Sequence, residues 1–102
     1  MDLSDATVSN TSELRPVIGL TRGLNKADVE TLTVNAIRLH RKLVEKADQL
    51  FQALPPDHRT GKAVGGEQHL EYVDAMIAMH MQMNALNMLL GILDYIPNAS
   101  DN

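Results

Sequence analysis

Apolar residues recur at steps of three and four along one stretch in the first half of the chain. They are Val29, Leu32, Ala36, Leu39, Leu43, Ala47, Leu50 and Leu54. This spacing places them on one face of a helix. Asn25 is a favoured N-cap residue, and the Pro55-Pro56 pair cannot continue a helix. We therefore predict a first helix over residues 25–54.

A second stretch, residues 67–96, is apolar nearly all round. No Asp, Glu, Lys or Arg occurs from Ala75 to Leu93, and five of the six methionines lie between Met76 and Met88. We predict a second helix here, forming an antiparallel hairpin over residues 25–96. Because one partner helix covers only part of such a surface, we expect an all-α homodimer in which two hairpins form a four-helix bundle. The residues expected in the dimer core are Ile77, Met81, Asn84, Met88 and Ile92.

The remaining segments differ in composition. Residues 1–12 are polar and are expected to form a disordered tail. Residues 13–24 are expected to form an irregular apolar arm, which either folds back on the helices or contacts a partner, because Pro16, Gly19 and Gly23 interrupt any regular element. Residues 55–66, with two prolines and three glycines, are a connector, and residues 97–102 are a C-terminal tail.

Charge and composition narrow the class of protein. The net charge of −4 argues against direct DNA binding, which needs clustered Lys and Arg. The first residues lack the basic and apolar regions of a signal peptide. The uncharged part of the second helix has the length of a membrane span, but it contains polar residues such as His80 and Asn84 and has no basic flank. We therefore expect a cytoplasmic protein.

No motif for catalysis or for a cofactor is visible, and there is no cysteine. His40 and His80 lie almost symmetrically about the connector. They are either hydrogen-bonded, partly buried side chains or, in a dimer, a metal-binding or pH-sensitive cluster; no carboxylate lies at ligand spacing beside them.

A solvated polar face is expected for helix one. Its members are Arg38, Arg41, Lys42, Glu45, Lys46, Asp48 and Gln52. With no charged pair pointing inward, we predict neither an enzyme nor a metal site.

Three runs in order, ELRPVIGLTRGL, AIRLHRKLVEKADQLFQALP and TGKAVGGEQHLEY, precede a Met-rich helix. Together they resemble the TraM family, the quorum-sensing antiactivators of conjugal plasmid transfer in rhizobia and agrobacteria, over residues 14–97. The resemblance implies a helical homodimer that binds a LuxR-type, TraR-like transcriptional activator. It also implies that the bound activator cannot reach its promoter DNA, so that conjugal transfer genes stay repressed.

For the activator-binding surface we expect the apolar arm and, as a second candidate, an amphipathic residue near the connector. These residues are Leu14, Pro16, Ile18, Leu20, Leu24 and Tyr72. Inhibition by masking the DNA-reading helix and inhibition by holding the DNA-binding domains apart remain open. The alternative functions are a helical adaptor for another protein and a small all-helical enzyme.

Overall fold

A computed structural model describes residues 17–100 of the chain. Helix α1 spans Lys26–Ala53, the short helix α2 spans Pro56–Arg59, and helix α3 spans Glu67–Leu93. No strand occurs in this part of the chain, so the predicted all-α fold is confirmed. The predicted tail over residues 1–12, the arm residues Leu14 and Pro16, and residues 101–102 lie outside the described range.

Helices α1 and α3 pack along their lengths in opposite directions. Contacts between them join Phe51 to Tyr72 near one end and the carbonyl of Ala36 to Gln82 near the middle. Later residues of α1 therefore contact earlier residues of α3. The predicted antiparallel hairpin is confirmed, whereas the four-helix bundle of two hairpins stays a prediction.

The start of α1 is set by a side-chain cap. Asn25 is extended, with φ −75° and ψ 168°, and its Oδ1 accepts a hydrogen bond of 2.8 Å from the backbone N–H of Asp28. This bond satisfies one of the N–H groups that a helix start leaves without a partner. The helix ends at Ala53 because Leu54, which precedes Pro55, turns to an extended conformation. The N-cap predicted at Asn25 is thus confirmed.

Helix α3 ends at Leu93, earlier than the predicted boundary at residue 96. Asp94 adopts the left-handed conformation, with φ 70°, and its N–H donates to the carbonyl of Leu90 at 2.8 Å. Aspartate tolerates this conformation better than most residues, and a left-handed residue is a common helix terminator. The prediction was wrong because it took Pro97 as the signal that ends the helix, whereas the left-handed Asp94 ends it three residues earlier.

Residues 17–21 are helical, which corrects the expectation of an irregular arm for this portion. The hydroxyl of Thr21, a buried residue, donates to the carbonyls of Val17 and Ile18 at 3.0 and 3.2 Å. Gly19 lies inside this turn without breaking it. The turn ends at Gly23, whose φ of 88° suits glycine, and Leu24 begins the approach to α1.

The core between the helices combines small and branched residues. Ala47 and Ala75 are buried where α1 and α3 approach each other, and Leu86 and Leu93 are the larger buried side chains of α3. Thr33 is fully buried, and its hydroxyl donates to the carbonyl of Val29 at 2.8 Å. This internal bond allows a polar side chain to sit in the core without an unmet hydrogen bond.

A glutamine side chain crosses from α3 to α1. The Nε2 of Gln82 donates to the carbonyl of Ala36 at 2.7 Å, and its Oε1 lies 3.1 Å from Nδ1 of His40. His40 is therefore a half-buried, hydrogen-bonded residue, whereas His80 is exposed. The two histidines do not meet within one chain. No group of three or more potential metal ligands converges among residues 17–100.

The C-terminal segment folds back over α1. Nη2 of Arg38 donates to the carbonyl of Ser100 at 2.9 Å, and Nη1 of Arg41 donates to the carbonyl of Ala99. Pro97 and Ala99 are buried. Arg38 and Arg41 are exposed, as expected for the solvated face of helix one, and they also donate to backbone acceptors of the returning segment, which the spacing along α1 does not reveal.

Replacing Leu86 by alanine is expected to lower the free energy of unfolding by about 2–5 kcal/mol, since it removes a buried side chain and leaves a cavity. Urea denaturation followed by circular dichroism measures the change. The neighbouring substitution Asn87→Ala, at an exposed position, is the control and should stay within about 0.5 kcal/mol of the wild type. Equal losses in both variants would contradict the assignment of Leu86 to the core.

Candidate interaction surfaces

The side of α3 that points away from α1 is largely apolar and exposed. We call it the outer face. Its members are Leu70, Val73, Ile77, Met81, Asn84, Met88 and Ile92. They recur at steps of three and four, and they lie opposite the residues of α3 that pack against α1. Met81 is 68% exposed and Ile77 is 52% exposed, although both side chains gain from burial.

All five residues predicted for a dimer core lie on this outer face. Ile77, Met81, Asn84 and Ile92 are exposed in the single chain, and Met88 is half-buried. None of them is among the buried residues of the hairpin. The structure therefore brings these positions together on one accessible surface. Their burial by a second copy stays a prediction.

Helix α3 is long and apolar enough to cross a membrane, as judged by length and composition alone. Only 11% of its most apolar window is buried inside the hairpin. Core helices of water-soluble proteins meet the same criterion, so one such helix is weak evidence for a membrane protein. An exposed apolar surface of this kind is typical of an interaction site.

Three apolar side chains next to the start of α1 form a second exposed patch, which we call the arm surface: Ile18, Leu20 and Leu24. Leu20 is 81% exposed, the highest exposure among the large apolar residues of this patch. The buried Thr21 anchors the turn that carries Ile18 and Leu20, and Leu24 follows this turn. Two other predicted members, Leu14 and Pro16, lie outside the described residues.

Tyr95 closes the same end of the hairpin. Its hydroxyl donates to Oε2 of Glu30 at 2.9 Å, and Nζ of Lys26 lies 5.0 Å from the centre of its ring. The hydrogen bond to Glu30 raises the pKa of Tyr95, with desolvation and the negative charge of Glu30 acting in the same direction. Sequence reasoning missed this contact, because residues 30 and 95 meet only once the helices are paired.

Tyr72 lies near the opposite end of the hairpin. Its ring is half-buried, and its centre is 5.5 Å from that of Phe51 at an interplanar angle of 54°. An apolar groove of about 310 Å³ runs beside it, and its lining includes Val44, Met76 and Met79. Because Phe51 is about 39 Å along α1 from Asn25 at 1.5 Å per residue, one chain does not bring Tyr72 to the arm surface.

Comparison with known proteins supplies a family. A family model described as "Prokaryotic Transcriptional repressor TraM" matches residues 1–98. Two relatives named "Transcriptional repressor TraM", from Agrobacterium fabrum strain C58 and Rhizobium radiobacter, are 60% and 59% identical over 102 residues. Each alignment covers 100% of this chain and 100% of the relative.

A solved structure is also similar, the crystal structure of a second quorum sensing antiactivator, TraM2, from A. tumefaciens strain A6. The two share 70% sequence identity and superpose with a TM-score of 0.84. The match covers 86% of this chain and 99% of that chain. The resemblance seen in the sequence is thereby confirmed.

The Tyr95–Glu30 hydrogen bond predicts a shifted tyrosine titration. In a Tyr72→Phe background, the tyrosinate absorbance of Tyr95 is expected to develop above the ordinary tyrosine midpoint of about pH 10. Because a raised pKa favours the neutral form, the contact persists below that range and is lost as the pH rises through the midpoint in the folded protein. Adding Glu30→Ala should move the midpoint down; an unchanged midpoint would contradict the assigned cause.

Proposed function

The chain belongs to the TraM family of prokaryotic transcriptional repressors, and from that premise we propose that it is a dimeric antiactivator of a LuxR-type, TraR-like activator. In this proposal it binds the activator in the cytoplasm and prevents the activator from binding promoter DNA, so that conjugal transfer genes stay repressed. The observation that carries the proposal is the exposed apolar surface of an acidic chain, which suits a protein partner and not a nucleic acid.

The charge distribution supports action through a protein. A surface that binds DNA directly needs clustered cations to neutralise phosphates, and this chain has a net charge of −4. Two of the basic residues of α1, Arg38 and Arg41, donate to the carbonyls of the C-terminal segment. Helix α3 contributes no Lys or Arg. An antiactivator represses transcription by binding the activator, so it needs no DNA-binding surface of its own.

A second copy is the proposed partner of the outer face. Ile77 and Met81 are exposed there, and the same apolar positions on a second chain supply a matching surface. A two-fold axis pairs identical patches, so the outer face would meet itself and the two hairpins would form the expected four-helix bundle. Asn84 would be the polar residue inside this interface, where a buried asparagine can select one register.

The arm surface is the proposed anchor for the activator. If a second copy covers the outer face, Leu20 remains as a prominently exposed apolar side chain, and Ile18 and Leu24 lie beside it. Tyr72 is the second proposed contact, because its hydroxyl and its ring allow one side chain to make polar and apolar contacts. Two copies that run in opposite directions would bring the arm surface of one chain toward the Tyr72 end of the other.

Apolar docking accounts for inhibition better than imitation of DNA by acidic side chains. Helix α3 and its cap carry Glu67, Glu71, Asp74 and Asp94. Three of these acids lie near one end, so they do not reproduce the regular spacing of phosphates. Docking would either mask the DNA-reading helix of the activator or hold its two DNA-binding domains at a separation that does not fit two half-sites.

The two alternative functions have weaker support. An adaptor for an unrelated protein would use the same exposed surfaces, but the relatives are named repressors and the solved neighbour is named an antiactivator. The family is described as one of transcriptional repressors and not as one of enzymes. The proposal is therefore tested first against a LuxR-type activator.

Adding the protein to a ligand-loaded TraR-like activator on labelled promoter DNA is expected to release the DNA, as measured by gel mobility or fluorescence anisotropy. Leu20→Ala should weaken this inhibition about tenfold, since it removes an exposed anchor of the kind that contributes about 1–2 kcal/mol to an interface.

The matched control is Leu39→Ala, because Leu39 is 47% exposed and lies in the middle of α1, away from both the arm surface and Tyr72. It should inhibit like the wild type. DNA that stays bound at excess wild-type protein would refute the proposed function. Equal effects of the two variants, with both chains folded, would refute the role of the arm surface alone.

Met81→Glu is expected to shift the protein from dimer to monomer in sedimentation velocity experiments, because it places a charge in the centre of the proposed interface. Gln49→Glu introduces the same side chain at an exposed position of α1 and should leave the dimer intact. A wild-type protein that sediments as a monomer at micromolar concentration would contradict the proposed assembly.

A further inference from the structure

Two histidines hold the backbone of one glycine between them at the connector end of the hairpin. Nε2 of His58, in α2, lies 2.9 Å from the carbonyl oxygen of Gly65. The N–H of Gly65 donates to Nδ1 of His69, in the first turn of α3, at 2.7 Å. The two rings are 5.7 Å apart and meet edge to face. We call these three residues the histidine clasp.

The partners determine which ring nitrogens carry a proton where each ring meets Gly65. A backbone N–H only donates, so Nδ1 of His69 must present its lone pair, and the ring proton lies on Nε2. A carbonyl only accepts, so Nε2 of His58 must carry its proton. Nδ1 of His58 is buried with no hydrogen-bond partner, so a lone pair costs less there than an N–H without an acceptor. The contact with Gly65 therefore requires a neutral His69, and the burial of Nδ1 favours a neutral His58.

The clasp holds the residue that precedes the N-cap of α3, a helix that has no side-chain cap. Gly66 is the N-cap residue, and no side-chain hydrogen bond caps this helix. His69 occupies the third helical position, where the Glu or Gln of a capping box accepts a backbone N–H. Here the imidazole accepts the N–H of Gly65, and both glycines have a positive φ, of 90° and 92°. Order at the start of α3 thus depends on an acceptor that a proton can remove.

Adding a proton to either ring conflicts with this geometry. On His69 the new Nδ1–H would face the N–H of Gly65, so that two donors would oppose each other. The positive charge would also lie at the N-terminus of α3, where the helix dipole disfavours cations. On His58 the new Nδ1–H would be a buried donor in a position where Nδ1 has no partner.

Among residues 17–100, the charged groups near the clasp form no hydrogen bond or ion pair with its imidazoles. Those on α2, on the connector and in the first turns of α3 are Asp57, Arg59, Lys62, Glu67 and Glu71. Residues 49–54, which end α1, include no titratable side chain. Among residues 17–100, no hydrogen bond or ion pair joins a side chain of these charged residues to either imidazole. The pH response is therefore governed by the contacts with Gly65.

We propose that the histidine clasp is a pH-sensitive latch between α2 and α3, closed while Nδ1 of His69 presents its lone pair to Gly65 and opened when that atom takes up a proton. Opening frees the N–H of Gly65 and removes the acceptor at the start of α3. Tyr72 follows His69 by one helical turn, so its position against Phe51 is the nearest part of the hairpin to be affected. This inference concerns the chain itself and does not depend on the proposed binding of an activator.

Hydrogen exchange of the Gly65 amide, followed by NMR on the full-length protein and corrected for intrinsic exchange, tests the latch. The protection factor of this amide is expected to fall about fivefold between pH 7.5 and pH 5.5, which corresponds to loss of one hydrogen bond of ordinary strength. In His69→Gln the protection should stay nearly constant, because the amide oxygen accepts a hydrogen bond but takes up no proton in this range.

His80→Gln is the matched control, since His80 is an exposed histidine of the same helix outside the clasp, and it should keep the fivefold fall. A second measurement needs no variant: the ¹⁵N shifts of His69 at pH 7.5 should show its proton on Nε2. Constant protection in the wild type, an equal fall in His69→Gln, or a proton on Nδ1 of His69 at pH 7.5 would each overturn the proposal.

Discussion

The constraint on which this structure depends is the excess of apolar surface on α3 over what α1 can cover. Helix α1 has one polar and one apolar side, whereas α3 is apolar around most of its circumference. Only Ala75, Leu86 and Leu93 of α3 become buried in the hairpin. The rest of the helix remains a surface that is favourable to cover, which makes the single hairpin an incomplete unit in water.

Polar contacts determine how the two helices are aligned, because apolar packing alone permits sliding. Gln82 joins α3 to the carbonyl of Ala36 and to His40, and Tyr95 joins the end of α3 to Glu30. Each contact forms at only one register of the hairpin. The apolar residues therefore supply most of the driving force for packing, and these few hydrogen bonds select the arrangement.

Much of the fold was predictable because its determinants are local. The cap at Asn25 and the apolar periods of both helices act within a few residues, and the structure confirms them. The end of α3 was misplaced, because the left-handed conformation of Asp94 has no strong sequence signal. Contacts of Arg38 with the C-terminal segment join positions far apart in the chain, so spacing along one helix cannot reveal them. Leu20 was named as a candidate contact, but the sequence left open whether the arm folds back on the helices, and no periodicity identifies a partner.

The two ends of the hairpin differ in what holds them, and this difference bears on function. At the arm end, the tyrosine contact with Glu30 loses its donated proton only at high pH. At the connector end, Gly65 is bound by His58 and His69, and in the proposed latch the contact with His69 is lost on protonation. Mild acidification would therefore act on the connector end and leave the arm end in place. If the activator contacts both ends, binding would become weaker at low pH through the end that contains Tyr72.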